Sequence, residues 1–397
     1  MNISFFISSR MRFKSSVTVL SVAVSFLVMI VAVSVSSGFR NEIRTGLASM
    51  SGDIQLTPPN LNVLDYEHPI EKTPAYMEHV LNIDGVAGAE PVIYRAGIVK
   101  TSDNIHGVLF KGVQGGASMV VDTEYADSIP LAVAIPRRLS EIASVGTGDK
   151  ITAYFIGDEV RLRRFNVVAV YDAVIETDDR LVVYADLADM QRLGGWNDDQ
   201  VSAIEIALDG SCRDESTIIR TTQEVGAYVN GYSEEVESPV IATSSVSKYP
   251  ELFDWLDLID FNVIFILILM TIVAGFNMIS GLLIMLFENI STIGLLKALG
   301  MKDGAIAKVF LVSASKIVLK GMLIGNAAAF LFCILQDKMH LLRLDPENYF
   351  VSFVPVNMDI WYVLTADMVS FMVIMFLLLI PTLFISKVDP AETVRVR

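Results

Sequence analysis

Four apolar runs punctuate this chain, at residues 17–38, 261–287, 309–336 and 360–386, and about 220 residues of mixed polarity separate the first from the rest. The longest, FNVIFILILMTIVAGFNMISGLLIMLF (261–287), carries no charge in 27 residues. A membrane-crossing helix needs about 20 such residues. At 1.5 Å per residue this run reaches ~40 Å, so it predicts a tilted span or one that projects beyond the hydrocarbon. The first run, VTVLSVAVSFLVMIVAVSVSSG, is also uncharged and follows Arg10, Arg12 and Lys14. A secretory signal peptide has the same order of features, but its apolar region is only about 7 to 15 residues long, so an uncleaved anchor is expected. Ser21, Ala23, Ser25, Ala32, Ser34 and Ser36 give that anchor a small-residue surface suited to close helix packing.

The third and fourth runs are less pure. Lys316 and Lys320 stand four apart in the first half of the third, on one helical face. Asp367 lies near the start of the fourth and Pro381 near its end. A Lys320–Asp367 relay would have to bridge ~10 Å or more of depth along the helix axes, so snorkelling lysines and an interfacial aspartate are expected instead.

Between the first two runs the period changes to that of short strands. PVIYRAGIVKT, HGVLFKGVQ, RRFNVVAVYDAV and VSAIEIALDG read as strands. IPRRLSEIASVGTGDKITAYFI reads as helix, turn and strand, and DRLVVYADLADMQRLGG as strand then helix. Thr73 followed by Pro74 predicts a helix start, and the chain from Ser216 to Leu258 reads as helical again. The pattern is α+β, with a lobe at about 131–210 inserted between two halves of a membrane-proximal lobe.

Charge sorts the parts. Residues 41–260 hold 16 Lys and Arg against 36 Asp and Glu, whereas the remainder carries 14 against 9. An acidic domain therefore accompanies basic membrane segments, and nucleic acid, which wants basic stripes, is not an expected partner. Mean hydropathy is +0.52, high for a soluble protein. Arg10, Arg12 and Lys14, then Lys297, Lys302 and Lys308, then Lys387, Arg395 and Arg397 fall on one side of four spans. The positive-inside rule makes that side cytoplasmic. The expected order is a 1–16 cytoplasmic amphipathic segment, a span at 17–38 and an external domain at 39–258. A span at 261–287, a cytoplasmic loop at 288–308 and a span at 309–336 follow. An external loop at 337–359, a span at 360–386 and a cytoplasmic tail at 387–397 complete it.

Catalytic constellations do not appear. The chain has no G-x-x-x-x-G-K-[ST] phosphate loop, no H-E-x-x-H and no G-x-S-x-G. His68, His79, His106 and His340 lack metal-ligand spacing, and Cys212 and Cys333 sit in no redox motif. Asp178–Asp179 and Asp198–Asp199 read as solvated turns, and Arg161, Arg163 and Arg164 as an exposed strand face. No catalytic, metal or cofactor site is expected, and the chain is not expected to be an enzyme.

Several stretches carry a family likeness. FFISSRMRFKS before the first span, GFRNEI after it, AGFNMISGLLIMLFENISTIGLLKALGMKDGAIAKVFL, FNVVAVYDAVIETDDRLVVYADLADMQRL, ENYFVSFVPVNMD and the DPAETVR tail together resemble the LolC/LolE permeases. These belong with MacB and FtsX among four-span ABC permeases. KYPELFDWLDLID departs from the pattern by ending in Asp260 rather than a basic residue. The resemblance implies an α-helical membrane protein with four transmembrane helices and a large α+β, MacB-like periplasmic core domain between the first and second. It also implies a dimer, homo- or heteromeric, in the bacterial inner membrane. A separate cytoplasmic ATPase of LolD type would bind the ATP, lipoproteins would be the cargo, and a LolA-like periplasmic carrier would receive them.

By the same resemblance, Glu288 to Gly300 is the helix that docks on the ATPase, with Glu288, Ser291, Thr292, Ile293, Leu295, Leu296, Lys297, Leu299 and Gly300 as its site residues. Ile293, Leu296 and Leu299 are expected to form one apolar stripe and Gly300 to end the helix. An ordinary helix lying flat on the bilayer has the same features. Phe26, Val28, Met29, Phe265, Leu269 and Met270 are candidates for an acyl-chain cleft among membrane lipids, and dimer-packing residues would look alike. A MacB-like peptide or drug exporter and an FtsX-like signalling permease remain alternatives.

Overall fold

The computed structural model describes residues 16–59, 61, 68–100, 105–119, 129–156, 160–174, 181–210, 214–235 and 237–387, and every structural statement concerns those residues. Arg10, Arg12, Lys14, Asp178, Asp179, Cys212, Arg395 and Arg397 lie outside them, as do most of the 1–16 segment and the tail after Lys387.

The chain opens with α1 (Ser16–Ser51), β1 (Ile54–Thr57), β2 (Ile70–Glu71) and α2 (Met77–Leu81). Two long strands follow, β3 (Val86–Lys100) and β4 (Ile105–Val113). Then come β5 (Ala132–Pro136), α3 (Arg137–Ala143), β6 (Lys150–Phe155), β7 (Arg161–Tyr171), β8 (Val182–Asp186) and α4 (Leu187–Gly194). β9 (Gln200–Val201), β10 (Ala203–Leu208), α5 (Glu215–Tyr232), β11 (Ile241–Ser244) and α6 (Ser245–Lys248) lead to α7 (Pro250–Glu288). α8 (Ile290–Ala298), α9 (Asp303–Met339), α10 (Pro346–Tyr349), α11 (Ile360–Leu377) and α12 (Leu379–Thr382) complete the order. Two compact units result, one α+β (Asn41–Asp254 with Arg343–Phe353) and one helical.

In the α+β unit a nine-stranded sheet runs β11-β1-β10-β3-β4-β8-β5-β7-β6, and β6 pairs again with β3. That second pairing, Ile98 opposite Tyr154 and Val99 opposite Ala153, closes six strands into a small barrel. Most pairs are antiparallel, but β4–β8 and β5–β7 are parallel. Alternation along the strands fills the interior, as with Phe165 and Val167 of β7, both buried between more exposed neighbours. Phe110, Phe155 and Phe165 meet there with ring centroids 5.0, 5.0 and 6.1 Å apart. The turn from β8 into α4 follows from local chemistry. Asp186 accepts from the amides of Ala188 and Asp189 at the start, and Gly195 with φ 71° ends the helix.

The helical unit contains α1 up to Arg40, Trp255–Leu342 and the chain from Val354. Four helices are long and apolar enough to cross a membrane: Ser16–Ser51, Pro250–Glu288, Asp303–Met339 and Ile360–Ile385. α9 packs on α1 through Gly321 and Gly325, four apart. A Cβ on Gly325 would stand 2.4 Å from the Ala23 carbonyl oxygen, and one on Gly321 would stand 2.6 Å from a Val22 methyl. Small residues thus let the backbones approach, which supplies the dispersion contacts that hold helices together where water does not drive them. Polar bridges add to this: Asn277 Nδ2 donates to Ser21 Oγ at 2.5 Å, and Thr271 and Ser370 hydroxyls lie 3.1 Å apart.

The structure departs from the sequence reading at several points. α1 continues to Ser51 and α7 begins at Pro250, because neither GFRNEI nor ELFDWLDLID contains a residue that breaks a helix. Gly38 is no break either. It makes room for Pro355, whose carbonyl oxygen would lie 2.4 Å from a Cβ there. The stretch after Ser216 is not helical throughout, since β11 intervenes and pairs with β1. Residues 203–208, expected in the inserted lobe, form β10 and pair with β1 and β3. α2 begins at Met77 rather than at Pro74, and the Thr73 hydroxyl turns to Asp199, 3.4 Å away. Asp367 is buried within the helical unit, where it accepts from Asn326 Nδ2 at 2.5 Å. Lys320, by contrast, is exposed.

Candidate coupling site

α8 is set off from α7 by Asn289, whose backbone leaves the helical region (φ −110°, ψ 18°) and whose side chain donates to the Met285 carbonyl at 2.9 Å. Glu288 therefore ends the long helix instead of starting the short one. The other end is closed by a two-bond motif. The Gly300 amide donates to Lys297 and the Met301 amide to Leu296, at 2.9 and 3.0 Å, with Gly300 at φ 85°. This is the Schellman arrangement, and the left-handed residue it requires is the glycine. Lys297 then pairs with Asp303 at 3.0 Å, which ties α8 to the first turn of α9, where a carboxylate complements the helix dipole.

The two faces of α8 differ. Ile293 and Gly294 are buried and Leu296 half-buried, with Ile293 and Leu296 packed in the cluster that includes Met285, Leu286 and Phe310. Ser291, Thr292, Leu295 and Leu299 are exposed, Leu295 at 55% and Leu299 at 76%. Ile293, Leu296 and Leu299 thus do not form one stripe. Each three-residue step falls about 60° short of a full turn, so Leu299 comes round to the outer face. The exposed set recurs at spacings of three and four, a surface of two leucines flanked by hydroxyls.

The acyl-chain candidates separate likewise. Phe26 and Met29 are core residues of the helical unit; Phe26 packs near Gly325, and the Thr271 hydroxyl lies 3.5 Å from the Met29 sulfur. Val28 and Met270 are half-buried. Phe265 (61% exposed) and Leu269 (44%) lie on the outer surface of α7.

Sequence reasoning missed a buried charge cluster in the α+β unit. Lys111 Nζ, on β4, donates to Glu205 Oε2 of β10 at 2.8 Å and to the carbonyls of Ser49 and Met50 at 3.0 and 3.1 Å. The Tyr94 hydroxyl donates to Glu205, and Tyr184 donates to the Ser49 carbonyl at 3.1 Å. Burial pushes the Glu205 carboxyl above its ordinary range while Lys111 pulls it back. Burial and Glu205 push the Tyr94 and Tyr184 hydroxyls up, so both remain donors. Lys111 and Glu205 also face a cavity of about 600 Å³ bounded by Met50, Val113, Tyr171 and Val182. A lone lysine inside a β-run, KGV after HGVLF, was the one available signal. No group of His, Cys, Asp and Glu among the described residues could hold a metal ion.

The family models agree with this architecture. Residues 15–228 match the MacB-like periplasmic core domain, and residues 264–390 match the FtsX-like permease C-terminal family. The lipoprotein-releasing system transmembrane protein LolC of Neisseria meningitidis serogroup B is 24% identical, over 97% of this chain and 94% of that protein. LolC of Xylella fastidiosa strain 9a5c is 20% identical over 96% and 94%. Among solved structures, the periplasmic region of MacB from Actinobacillus actinomycetemcomitans aligns with a TM-score of 0.30 at 11% identity, covering 52% of this chain and 94% of that one. With four apolar helices and both family domains in place, the chain is a bacterial membrane protein and belongs to the LolC/MacB/FtsX-type permeases of ABC transporters.

Proposed function

We propose that this permease extracts lipoproteins from the inner membrane and passes them to a periplasmic carrier, driven by a separate cytoplasmic ATPase. The LolC relatives, similar along nearly the whole chain, support the cargo class. The observation that carries the ATPase coupling is the outer face of α8. Two leucines stand exposed there on a short helix fixed at one end by the Gly300 motif and at the other by Asn289. Lys297, Lys302, Lys308 and Lys387 favour a cytoplasmic location for this face, with both termini on the same side and the α+β unit in the periplasm. The protein works as a dimer, and α1 and α7 carry ATP-driven movement outward as unbroken helices. A released acyl chain gives up ~0.8 kcal/mol for each CH₂ it had buried, so it needs a substitute apolar surface. Phe265 and Leu269 offer one.

The docking role has a direct test. Affinity purification of the intact chain recovers the ATPase, and Leu295→Asp with Leu299→Asp abolishes that recovery while the protein stays folded and inserted. Leu296→Asp is a poorer probe, because Leu296 packs inward and its loss perturbs the helical unit itself. Full ATPase recovery with the Leu295/Leu299 variant would remove the docking assignment and leave α8 as a helix lying on the bilayer.

A further inference from the structure

The last turn of α1 is held to the sheet by side chains as well as by the short Gly52–Asp53 link into β1, where the Asp53 amide donates to the Ile206 carbonyl at 3.0 Å. Helix C-termini leave their final carbonyls without intrahelical partners. Here Lys111 takes two of them, those of Ser49 and Met50, and Tyr184 takes that of Ser49 as well. Glu205 fixes Lys111 from the opposite side, and Tyr94 bonds both Glu205 and the Met50 carbonyl, 3.4 Å away. Gly52 then leaves the helix at φ 68°, packed so tightly that a Cβ would meet Glu205 Cβ at 2.9 Å. Four strands, β3, β4, β8 and β10, therefore grip one helix end through groups that are all buried.

Neither partner of a buried ion pair is cheap to hide from water, and apolar residues of similar volume often serve stability as well. Stability alone thus gives no reason for a lysine and a glutamate here, whereas a helix end that must not slip does. We infer that Lys111 and Glu205, with Tyr184, are positioning residues that deliver the displacement of α1 to the β-sheet of the external domain. This rests on the mechanical reading given above. If the clamp is absent, movement of α1 is absorbed at Ser49–Gly52 and the ATP cycle runs without moving the sheet.

The test uses the full chain reconstituted with the ATPase it recovers, with spin labels on Glu141→Cys in α3 and Leu331→Cys in α9, both exposed positions. The distance between labels is measured without nucleotide and after trapping with ATP and vanadate. The double substitution Lys111→Met with Glu205→Met removes both charges together, and Tyr184→Phe removes one hydroxyl as a milder second variant. The expected result is an ATP-driven shift in the wild type that is lost in the double variant and reduced in Tyr184→Phe, with ATP hydrolysis and thermal midpoint unchanged. A double variant, or Tyr184→Phe should the double variant not fold, that moves like the wild type overturns the inference. A wild type that shows no shift overturns the mechanical reading itself, and the inference with it.

Discussion

The guanidinium of Arg40 on α1 lies against the carboxylate of Asp260 on α7, and Ser36, one turn earlier, donates to the other oxygen of the same carboxylate. Phe39 and Trp255 meet edge to face beside them at 5.4 Å. The acidic residue that ends KYPELFDWLDLID is thus the partner of an arginine across the helix pair. With side chains 25% and 34% exposed, the pair contributes about 1 kcal/mol, at the upper end for a partly solvated ion pair. Arg40→Leu and Asp260→Asn should each lower the thermal midpoint in detergent slightly, and the two together by less than the sum. Strict additivity in that double-mutant cycle would show that the two charges do not interact.

Close packing of α1 and α9 gives a sharper expectation. Gly325→Leu must push the helices apart, since the first side-chain carbon already collides with the Ala23 carbonyl. Overpacking of this kind costs about 1 to 3 kcal/mol or more, and the yield of monodisperse protein should fall with it. Gly88→Ala, in a strand where nothing lies within 4 Å, is the control. Equal behaviour of the two variants in size-exclusion chromatography and thermal unfolding would contradict the packing described.

Asp214 caps α5, accepting from the Thr217 amide at 3.0 Å and the Ser216 hydroxyl at 2.5 Å, and those bonds lower its carboxyl to about 2. A carboxylate depressed in the folded state stabilises at pH values above its unfolded value and loses that contribution as pH falls through its folded one. The first turn of α5 should therefore fray between about pH 4 and about 2. Asp214→Ala should cost about 1 kcal/mol at neutral pH and remove that local transition, read by hydrogen exchange of the Thr217 and Ile218 amides. An unchanged exchange profile in the variant would argue against the cap.

The apolar runs, the α+β pattern and the Gly300 helix end were legible because each is a local signal: length without charge, period two, or a glycine after a helix. Closure of the barrel was not. It depends on Ile98 and Val99 meeting Tyr154 and Ala153 more than 50 residues later, and strand period says nothing about partner. The length of α1 was misjudged for a related reason, since hydropathy stops at Gly38 while backbone hydrogen bonding does not. The candidate site was half legible. The sequence locates α8, but a spacing of three does not make one stripe of Ile293, Leu296 and Leu299, because the helical turn of 3.6 residues carries Leu299 about 120° round from Ile293 to the exposed side. Lys111 and Glu205 are about 90 residues apart and become a pair only through strand order.

The cargo assignment is the central claim, and depletion tests it most directly. The protein is depleted in its own host, inner and outer membranes are separated, and mature lipoproteins in each are quantified by mass spectrometry. Extraction by this permease predicts that lipoproteins bound for the outer membrane accumulate in the inner membrane, with wild-type sorting restored by the intact chain and not by the Leu295→Asp/Leu299→Asp variant. Unchanged lipoprotein sorting on full depletion would contradict the account and turn attention to exported peptides or to a signalling role.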